Sequence, residues 1–72
     1  MNTMTTKTIK EMLDKAYESG EPVEITTEWT IYEDAVVNSC GDTMVGFVAM
    51  HPLKDVEYDF ELYISSIREV RF

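Results

Sequence analysis

Residues 8–29 of this chain read TIKEMLDKAYESGEPVEITTEW, and the hydrophobic period changes in the middle of this stretch. In the first half, apolar side chains recur at the spacing of one helix face, namely Ile9, Met12, Leu13, Ala16 and Tyr17. Thr8 and Glu11 fit a capping box, in which each side chain pairs with a backbone N–H at the helix start. The pattern predicts a helix at about residues 8–19.

The second half of the stretch has the period of a strand. Gly20 is typical of the left-handed residue that ends a helix, and Pro22 prevents the helix from continuing. After Pro22 the side chains alternate, and one face carries Val23, Ile25, Thr27 and Trp29. Because Trp29 keeps the phase of the first two, the alternation predicts that its side chain belongs to the core. The opposite, outward face carries Glu24, Thr26 and Glu28.

Two β-rich segments follow, joined by a turn. Residues 31–40 (IYEDAVVNSC) favour a strand whose phase is unclear, and CGDT supplies the Gly-Asp chemistry of a hairpin turn. The next run, MVGFVAM at 44–50, is apolar on both faces, so we expect both faces to be covered. One cover is the core of the sheet, and the helix is the candidate for the other. Gly46 inside the run indicates a bulge or a bend.

The cleanest alternation lies in VEYDFELYI at residues 56–64. It predicts that Tyr58, Phe60, Leu62 and Ile64 face inward and are buried, and that Glu57, Asp59 and Glu61 face outward. REVRF ends the chain as a further strand. These elements predict a mostly β protein of the α+β class. An N-terminal helix precedes a five-stranded, antiparallel, strongly bent sheet or small barrel, with strands within about residues 23–72. An open antiparallel meander is the alternative.

Length and charge restrict the class of protein. Seventy-two residues make one domain, 1–72, because a second core does not fit in this length. Fourteen acidic residues against six basic ones give a net charge of −8, which is large for so small a domain. Such a field repels nucleic acid and anionic membranes and favours a basic partner.

The cellular location follows from cysteine usage and hydropathy. Cys40 is the only cysteine, so no intrachain disulfide forms, whereas small secreted domains usually need such bridges. The start, MNTMTTKTIK, lacks the apolar stretch of a signal peptide, and no segment has the apolar length of a membrane span. We therefore expect a cytoplasmic protein, located in the host cytoplasm if a phage encodes it.

The order of these elements resembles known small barrels. The chain is predicted to have a helix, five strands, a bent middle strand and the short link ISSI before the last strand. This order is similar to that of SH3-like and Sm-like barrels. The order over about residues 8–72 also resembles the Rof family of Rho-termination inhibitors, acidic proteins with a helix before an Sm-like barrel. This resemblance implies a regulator of transcription termination whose target is a basic RNA-binding site. The I-R-G-like RNA-binding signature of Sm proteins is not matched, since Glu69 stands where the glycine would be.

No residue pattern of a catalytic or metal site is present. His51 is the only histidine, and a Cys–His dyad with Cys40 competes with a simpler interpretation. In that interpretation Cys40 is a small packed residue and His51 ends a strand. Zinc spacing, a Gly-rich phosphate loop and an EF-hand pattern are all missing. We therefore predict a protein that is not an enzyme and that needs neither a cofactor nor a metal.

The alternating carboxylates of residues 57–61 have two interpretations. They form either a solvated strand face that also discourages aggregation, or a ladder of charge that fits a basic groove built for phosphates. The second interpretation adds further partner-binding candidates, namely Glu24, Glu28, Glu33, Asp34, Tyr32 and Tyr63. The two tyrosines are candidates because exposed aromatic side chains beside acidic groups can anchor an interface.

The sequence thus predicts a small acidic binding protein that inhibits or regulates a basic, nucleic-acid-binding partner by protein–protein contact. Phage anti-CRISPR and anti-restriction proteins that mimic DNA are similar in type. A different class of protein is a self-associating adaptor. In it, the apolar MVGFVAM strand or the apolar face of the helix contacts the same element of a second copy.

Overall fold

The chain forms one helix and five strands in a computed structural model that describes residues 4–51 and 53–72. The elements are α1 (Thr6–Ser19), β1 (Val23–Thr27), β2 (Ile31–Cys40), β3 (Met44–Met50), β4 (Glu57–Tyr63), the 3₁₀ turn η1 (Ile64–Ser66) and β5 (Ile67–Arg71). The predicted fold class, a helix followed by five antiparallel strands, is confirmed. No helix within the described ranges is long and apolar enough to cross a membrane.

The strands form one sheet in the order β4-β3-β2-β1-β5, and every pairing is antiparallel. β4 and β5 are its two edges and do not pair with each other, so the sheet stays open rather than closing into a barrel. The long strand β2 serves both halves of the sheet. Its residues 31–35 pair with β1, and its residues 36–40 pair with β3.

An extra residue in β2 explains why its hydrophobic phase is unclear in the sequence. Val23 pairs with Ala35. Two residues later, Ile25 pairs with Tyr32, so three steps along β2 match two along β1. The extra residue lies at Asp34, whose φ of 53° is in the left-handed region that Asp tolerates better than most residues. This bulge turns both Tyr32 and Ala35 toward the core although they are three positions apart.

A second irregularity in β2 explains the glycine in β3. Val37 pairs with Phe47, but Ser39 pairs with Gly46, so Asn38 is an additional residue in β2. A Cβ atom on Gly46 would lie 2.6 Å from the Ser39 hydroxyl oxygen and 3.1 Å from the Asn38 side-chain oxygen. The irregularity that Gly46 indicates is therefore a bulge in the facing strand β2, not in the MVGFVAM run where it was predicted.

The core gathers apolar residues from every layer. The helix contributes Ile9, Leu13 and Ala16, and the sheet and η1 contribute Val23, Ile25, Ala35, Val37, Val45, Phe47, Ala49, Ile64, Ile67 and Val70. The helix packs mainly against β2, β5 and η1, on the same side as the core. It therefore does not cover the second face of β3, and that part of the prediction was wrong. On that face Val48 is half-buried and Met50 is exposed.

The two ends of α1 differ in how well the sequence predicts them. Thr5 caps the helix, accepting the Thr8 N–H at its hydroxyl oxygen at 3.1 Å, so the capping position predicted at Thr8 was wrong. Helical hydrogen bonding begins one turn earlier, where the Ile9 N–H donates to the Thr5 carbonyl at 2.9 Å. Gly20 has φ 73° and its N–H donates to the Ala16 carbonyl, as predicted for the C-terminal cap.

Trp29 is 86% exposed, so its predicted place in the core was wrong. Strand β1 ends at Thr27, and the alternation that would have placed Trp29 inward ends with it. The Thr27 hydroxyl oxygen accepts the N–H groups of both Trp29 and Thr30, at 3.2 and 3.1 Å. This tight turn projects the indole away from the core.

Strand β4 follows its predicted phase but not its predicted burial. Ile64 is buried, whereas Phe60 and Leu62 are half-buried and Tyr58 is 39% exposed. Full burial was therefore wrong for three of the four side chains. The reason is that β4 is an edge of an open sheet and the helix packs elsewhere.

The bulge at Asn38 generates a stability prediction. We expect Gly46→Ala to destabilise the protein by about 1–3 kcal/mol, because the new methyl group overlaps the Ser39 hydroxyl. Gly41→Ala is the matched control, since its Cβ would meet only the Met44 carbonyl oxygen at 3.6 Å. Chemical denaturation of each variant measures the loss, and Ser39→Ala combined with Gly46→Ala should recover part of it. Equal stability of the two glycine variants would contradict the close contact.

Candidate functional site

Three carboxylates line the outer face of β4, and we call Glu57, Asp59 and Glu61 the acidic row. All three are exposed, which confirms the predicted outward phase. Seven consecutive residue pairs join β3 and β4 without a register shift, so no bulge interrupts the row. Side chains two positions apart on a strand are separated by roughly 6.6–7 Å. The row is thus a regular line of negative charge.

None of the ion pairs among the described residues includes a carboxylate of the acidic row. The ion pairs among residues 4–51 and 53–72 are Lys10–Asp14, Arg68–Glu28 and Arg71–Glu69. Each uses an acidic residue from another part of the surface. The field of the row is therefore directed to solvent or to a partner.

An apolar strip borders the acidic row on the same face. Val48 pairs with Asp59 on one side and with Val36 on the other, and Met50 pairs with Glu57. Val36 is 40% exposed and Met50 43% exposed. The outer face therefore presents apolar side chains directly beside carboxylates.

Glu33 joins the acidic row to a second group of predicted carboxylates. It lines an open groove of about 360 Å³ together with Glu24 and Asp34, with Arg71 at the same groove. Glu33 also lines a neighbouring groove with Met50, the residue paired with Glu57. The six further candidates do not share one location. Glu24, Glu33 and Asp34 line one groove and extend the acidic surface beyond the row, whereas the other three lie elsewhere.

Tyr63 lies at the other end of the acidic row. It is the last residue of β4, pairs with Met44 and has the same strand phase as Glu61. At 62% exposed, it is the exposed aromatic that the sequence predicts beside acidic groups.

Glu28 and Tyr32 lie apart from the row. They line a groove of about 360 Å³ at the opening between the two edge strands, with Leu62 on the β4 side and Arg68 on the β5 side. The Glu28 carboxylate forms an ion pair with Arg68. Tyr32 is half-buried and packs edge-on against Phe47, with 5.2 Å between ring centroids, so it is a core residue rather than an exposed anchor.

Trp29 lines this same groove, a surface position that the strand alternation does not predict. The signal that was available is the pair of threonines in TEWT at residues 27–30. Threonine hydroxyls that accept nearby backbone N–H groups are typical of turns. A turn at these residues would have placed the indole outside the strand alternation.

Cys40 and His51 lie at opposite ends of β3. Cys40 pairs with Val45, and His51 follows Met50, the last residue of the strand. Val45, the partner of Cys40, and His51 are six positions apart along the chain. This is a span of roughly 20 Å at about 3.3–3.4 Å per strand residue. A Cys–His dyad is therefore not formed. The His51 ring instead accepts the Leu53 N–H at Nδ1 and packs against Tyr58.

The surroundings of Cys40 also disfavour a reactive thiol. Partial burial, reinforced by the neighbouring Asp14 carboxylate, raises the pKa of Cys40 to about 11. The Lys10 ammonium, 2.8 Å from an Asp14 carboxylate oxygen, lowers the pKa of Asp14 through that hydrogen bond. At neutral pH the thiol is protonated, and thiols react as thiolates.

No group of three or more potential metal ligands occurs in the part of the chain that the structure describes. Comparison with known proteins adds no assignment, because no family model, curated protein or solved structure matches this chain.

The pKa of Cys40 predicts slow alkylation. A rise from 9.0 to about 11 lowers the thiolate fraction about a hundredfold at pH 8, so iodoacetamide should react far more slowly with folded than with denatured protein. Asp14→Asn should speed the reaction, because it removes a negative charge that opposes the thiolate. Lys10→Met should slow it. Mass spectrometry of the alkylated fraction over time gives the rates, and equal rates in folded and denatured protein would contradict the assigned environment.

Proposed function

We propose that this protein binds a basic site on a nucleic-acid-binding protein through the acidic row and so keeps nucleic acid out of that site. The observation that carries the proposal is the regular, exposed line of Glu57, Asp59 and Glu61, which shares in no ion pair among the described residues. A surface made for phosphates attracts such a line by the same Coulombic interaction that attracts a nucleic-acid strand.

The extent of the charged surface supports binding to an extended site. Glu24, Glu33 and Asp34 continue the negative field around the outer face, and the whole chain has a net charge of −8. Each exposed ion pair with a partner contributes only about 0.2–1 kcal/mol, because water screens it. Several pairs acting together raise the association rate and select against acidic competitors.

Regulation by occupation of a basic groove is the action of anti-CRISPR and anti-restriction DNA mimics and of Rof-type inhibitors. The mixed surface of this chain suits the same role, since Val36, Val48 and Met50 add apolar contact area next to the carboxylates. Protein interfaces commonly combine an apolar centre with a charged rim. This combination favours a protein partner that has both apolar and basic groups at its binding site.

Self-association as an adaptor is the second candidate, and the same apolar strip is the observation in its favour. The apolar face of the helix is not available for it, because Ile9, Leu13 and Ala16 are already in the core. Two copies that met through the strip would bring two acidic rows close together. Like charges at an interface oppose association, so this candidate ranks below a basic partner.

The proposal predicts the effect of neutralising the row. Glu57→Gln, Asp59→Asn and Glu61→Gln together remove three charges, keep the side-chain shapes and should leave the fold intact. We expect roughly tenfold weaker binding to the basic partner and a shallower dependence on salt, because three screened pairs are lost. The measurement is displacement of a labelled oligonucleotide from a purified nucleic-acid-binding protein that this chain retains at low salt.

The matched control removes the same number of charges elsewhere. Glu11→Gln, Glu18→Gln and Glu21→Gln change three exposed carboxylates in and just after α1. This control should displace the oligonucleotide as well as the unmodified protein does. If both triple variants behave alike, net charge alone determines binding, and the acidic row has no specific role.

A further inference from the structure

We infer that the free edge of β4 is a docking edge for an extended segment of the partner, which adds to the sheet as a sixth strand. The segment has basic residues alternating with apolar residues. This inference rests on the proposed function and specifies how the basic partner is held. Its evidence is the unpaired backbone of β4, the side chains on its two faces and the contrast with the other sheet edge.

The hydrogen-bond pattern shows which residues of β4 have unpaired backbone groups. Beyond one end of the β3–β4 ladder, the His51 N–H donates to the Val56 carbonyl at 2.9 Å. Beyond the other end, the Ile64 N–H donates to the Thr43 carbonyl at 2.8 Å. In an antiparallel ladder, hydrogen-bonded pairs alternate with pairs that make no hydrogen bonds to each other.

These two bonds fix the phase of the whole ladder, because its register is continuous. The hydrogen-bonded pairs between them are Ala49–Tyr58, Phe47–Phe60 and Val45–Leu62. The intervening residues of β4 turn their N–H and C=O groups away from β3, toward the free edge. These are the members of the acidic row, Glu57, Asp59 and Glu61.

The side chains on the two faces of β4 specify what an added strand should contain. Residues of a new strand that bond to the backbone of the acidic row place their side chains beside the three carboxylates, on the outer face. Lysine or arginine complements these positions. The intervening residues lie on the inner side, where Tyr58 is 39% exposed and both Phe60 and Leu62 are only half-buried. Apolar side chains at those positions would cover this incompletely buried row.

Charge also excludes the most obvious competitor for the edge. If two copies paired antiparallel through β4, carboxylates of one row would face carboxylates of the other across the new ladder. Like charges opposite each other destabilise a strand pair, and charged edges are a known protection against self-pairing. The carboxylates of the row attract the side chains of a basic segment, so the same charges that oppose self-pairing favour pairing with that segment.

The other edge of the sheet does not offer the same site. β5 has five residues, and a register shift between Thr26 and Thr27 leaves Arg68 as an extra residue in it. Its charges are already paired, Arg68 with Glu28 and Arg71 with Glu69. A regular basic strand therefore fits β4 and not β5.

Two synthetic peptides of equal composition and charge test strand addition. The probe is acetyl-KVKVKVK-amide, which has the length of β4, and the control is acetyl-KKVVVKK-amide. We expect the alternating peptide to bind roughly tenfold more tightly, because only it matches both faces of the edge while pairing with the backbone. NMR should show slowed amide exchange at Glu57, Asp59 and Glu61 when the alternating peptide is bound.

A backbone variant separates hydrogen bonding from charge. Asp59→Asn and Asp59→Pro both remove the carboxylate, but only proline removes the edge N–H and blocks an approaching strand. The edge position tolerates proline, since that N–H has no partner in β3. We expect Asp59→Pro to lose roughly tenfold more affinity for the alternating peptide than Asp59→Asn.

The outcomes distinguish this inference from the proposed function. Equal affinity for the two peptides, or no binding by either, overturns strand addition. The same holds if exchange at the edge amides is unchanged, a measurement that does not depend on the proline variant. The oligonucleotide displacement test above can still succeed in those cases, and the acidic row is then a charged surface only. Dimerisation of the protein alone that Asp59→Pro abolishes would assign the edge to a second copy and overturn the basic occupant.

Discussion

The bulge at Asp34 in β2 is the constraint on which the rest of the structure depends. One extra residue there shifts the strand's phase within its pairing with β1, between Tyr32 and Ala35. Without that shift, either Tyr32 or the Ala35–Val37 half would point away from the core, because strand side chains alternate strictly. The bulge lets ten residues serve two half-sheets around one core.

The position of the helix explains why one edge of the sheet is less covered than the rest. Ile9, Leu13 and Ala16 of α1 are fully enclosed in the core. The helix occupies the side of β2 and β5, and the side of β4 receives less cover. Consequently Tyr58, Phe60 and Leu62 have the phase of core residues and only part of their burial. The incompletely covered edge follows from the packing of so short a chain.

Local signals predict much of this structure from the sequence. The period change at Gly20, the hairpin at residues 40–43 and the alternation in β4 depend on neighbouring residues, and all three are observed. Alternation places Trp29 in the core only if β1 continues to it, whereas a threonine-capped turn replaces the strand after Thr27. The phase of β2 needed the bulge at Asp34, and a bulge is visible only from the register of the partner strand. The site is predicted to a similar degree: the row itself follows from alternation, whereas its junction with Glu24 through Glu33 depends on tertiary structure.

Under the proposed function, the acidic row serves solvation and recognition by the same physical interaction. An exposed edge with apolar side chains on its inner face is a template for unwanted pairing, and carboxylates along it repel a second copy. The repulsion acts on any anionic or self-like strand and disappears for a strand of opposite charge. A charge pattern that protects the edge from aggregation therefore also determines which segment can pair with it. In this fold the solvated face and the proposed binding face are one surface, because the residues that turn their backbone toward the edge are the same ones that carry the charge.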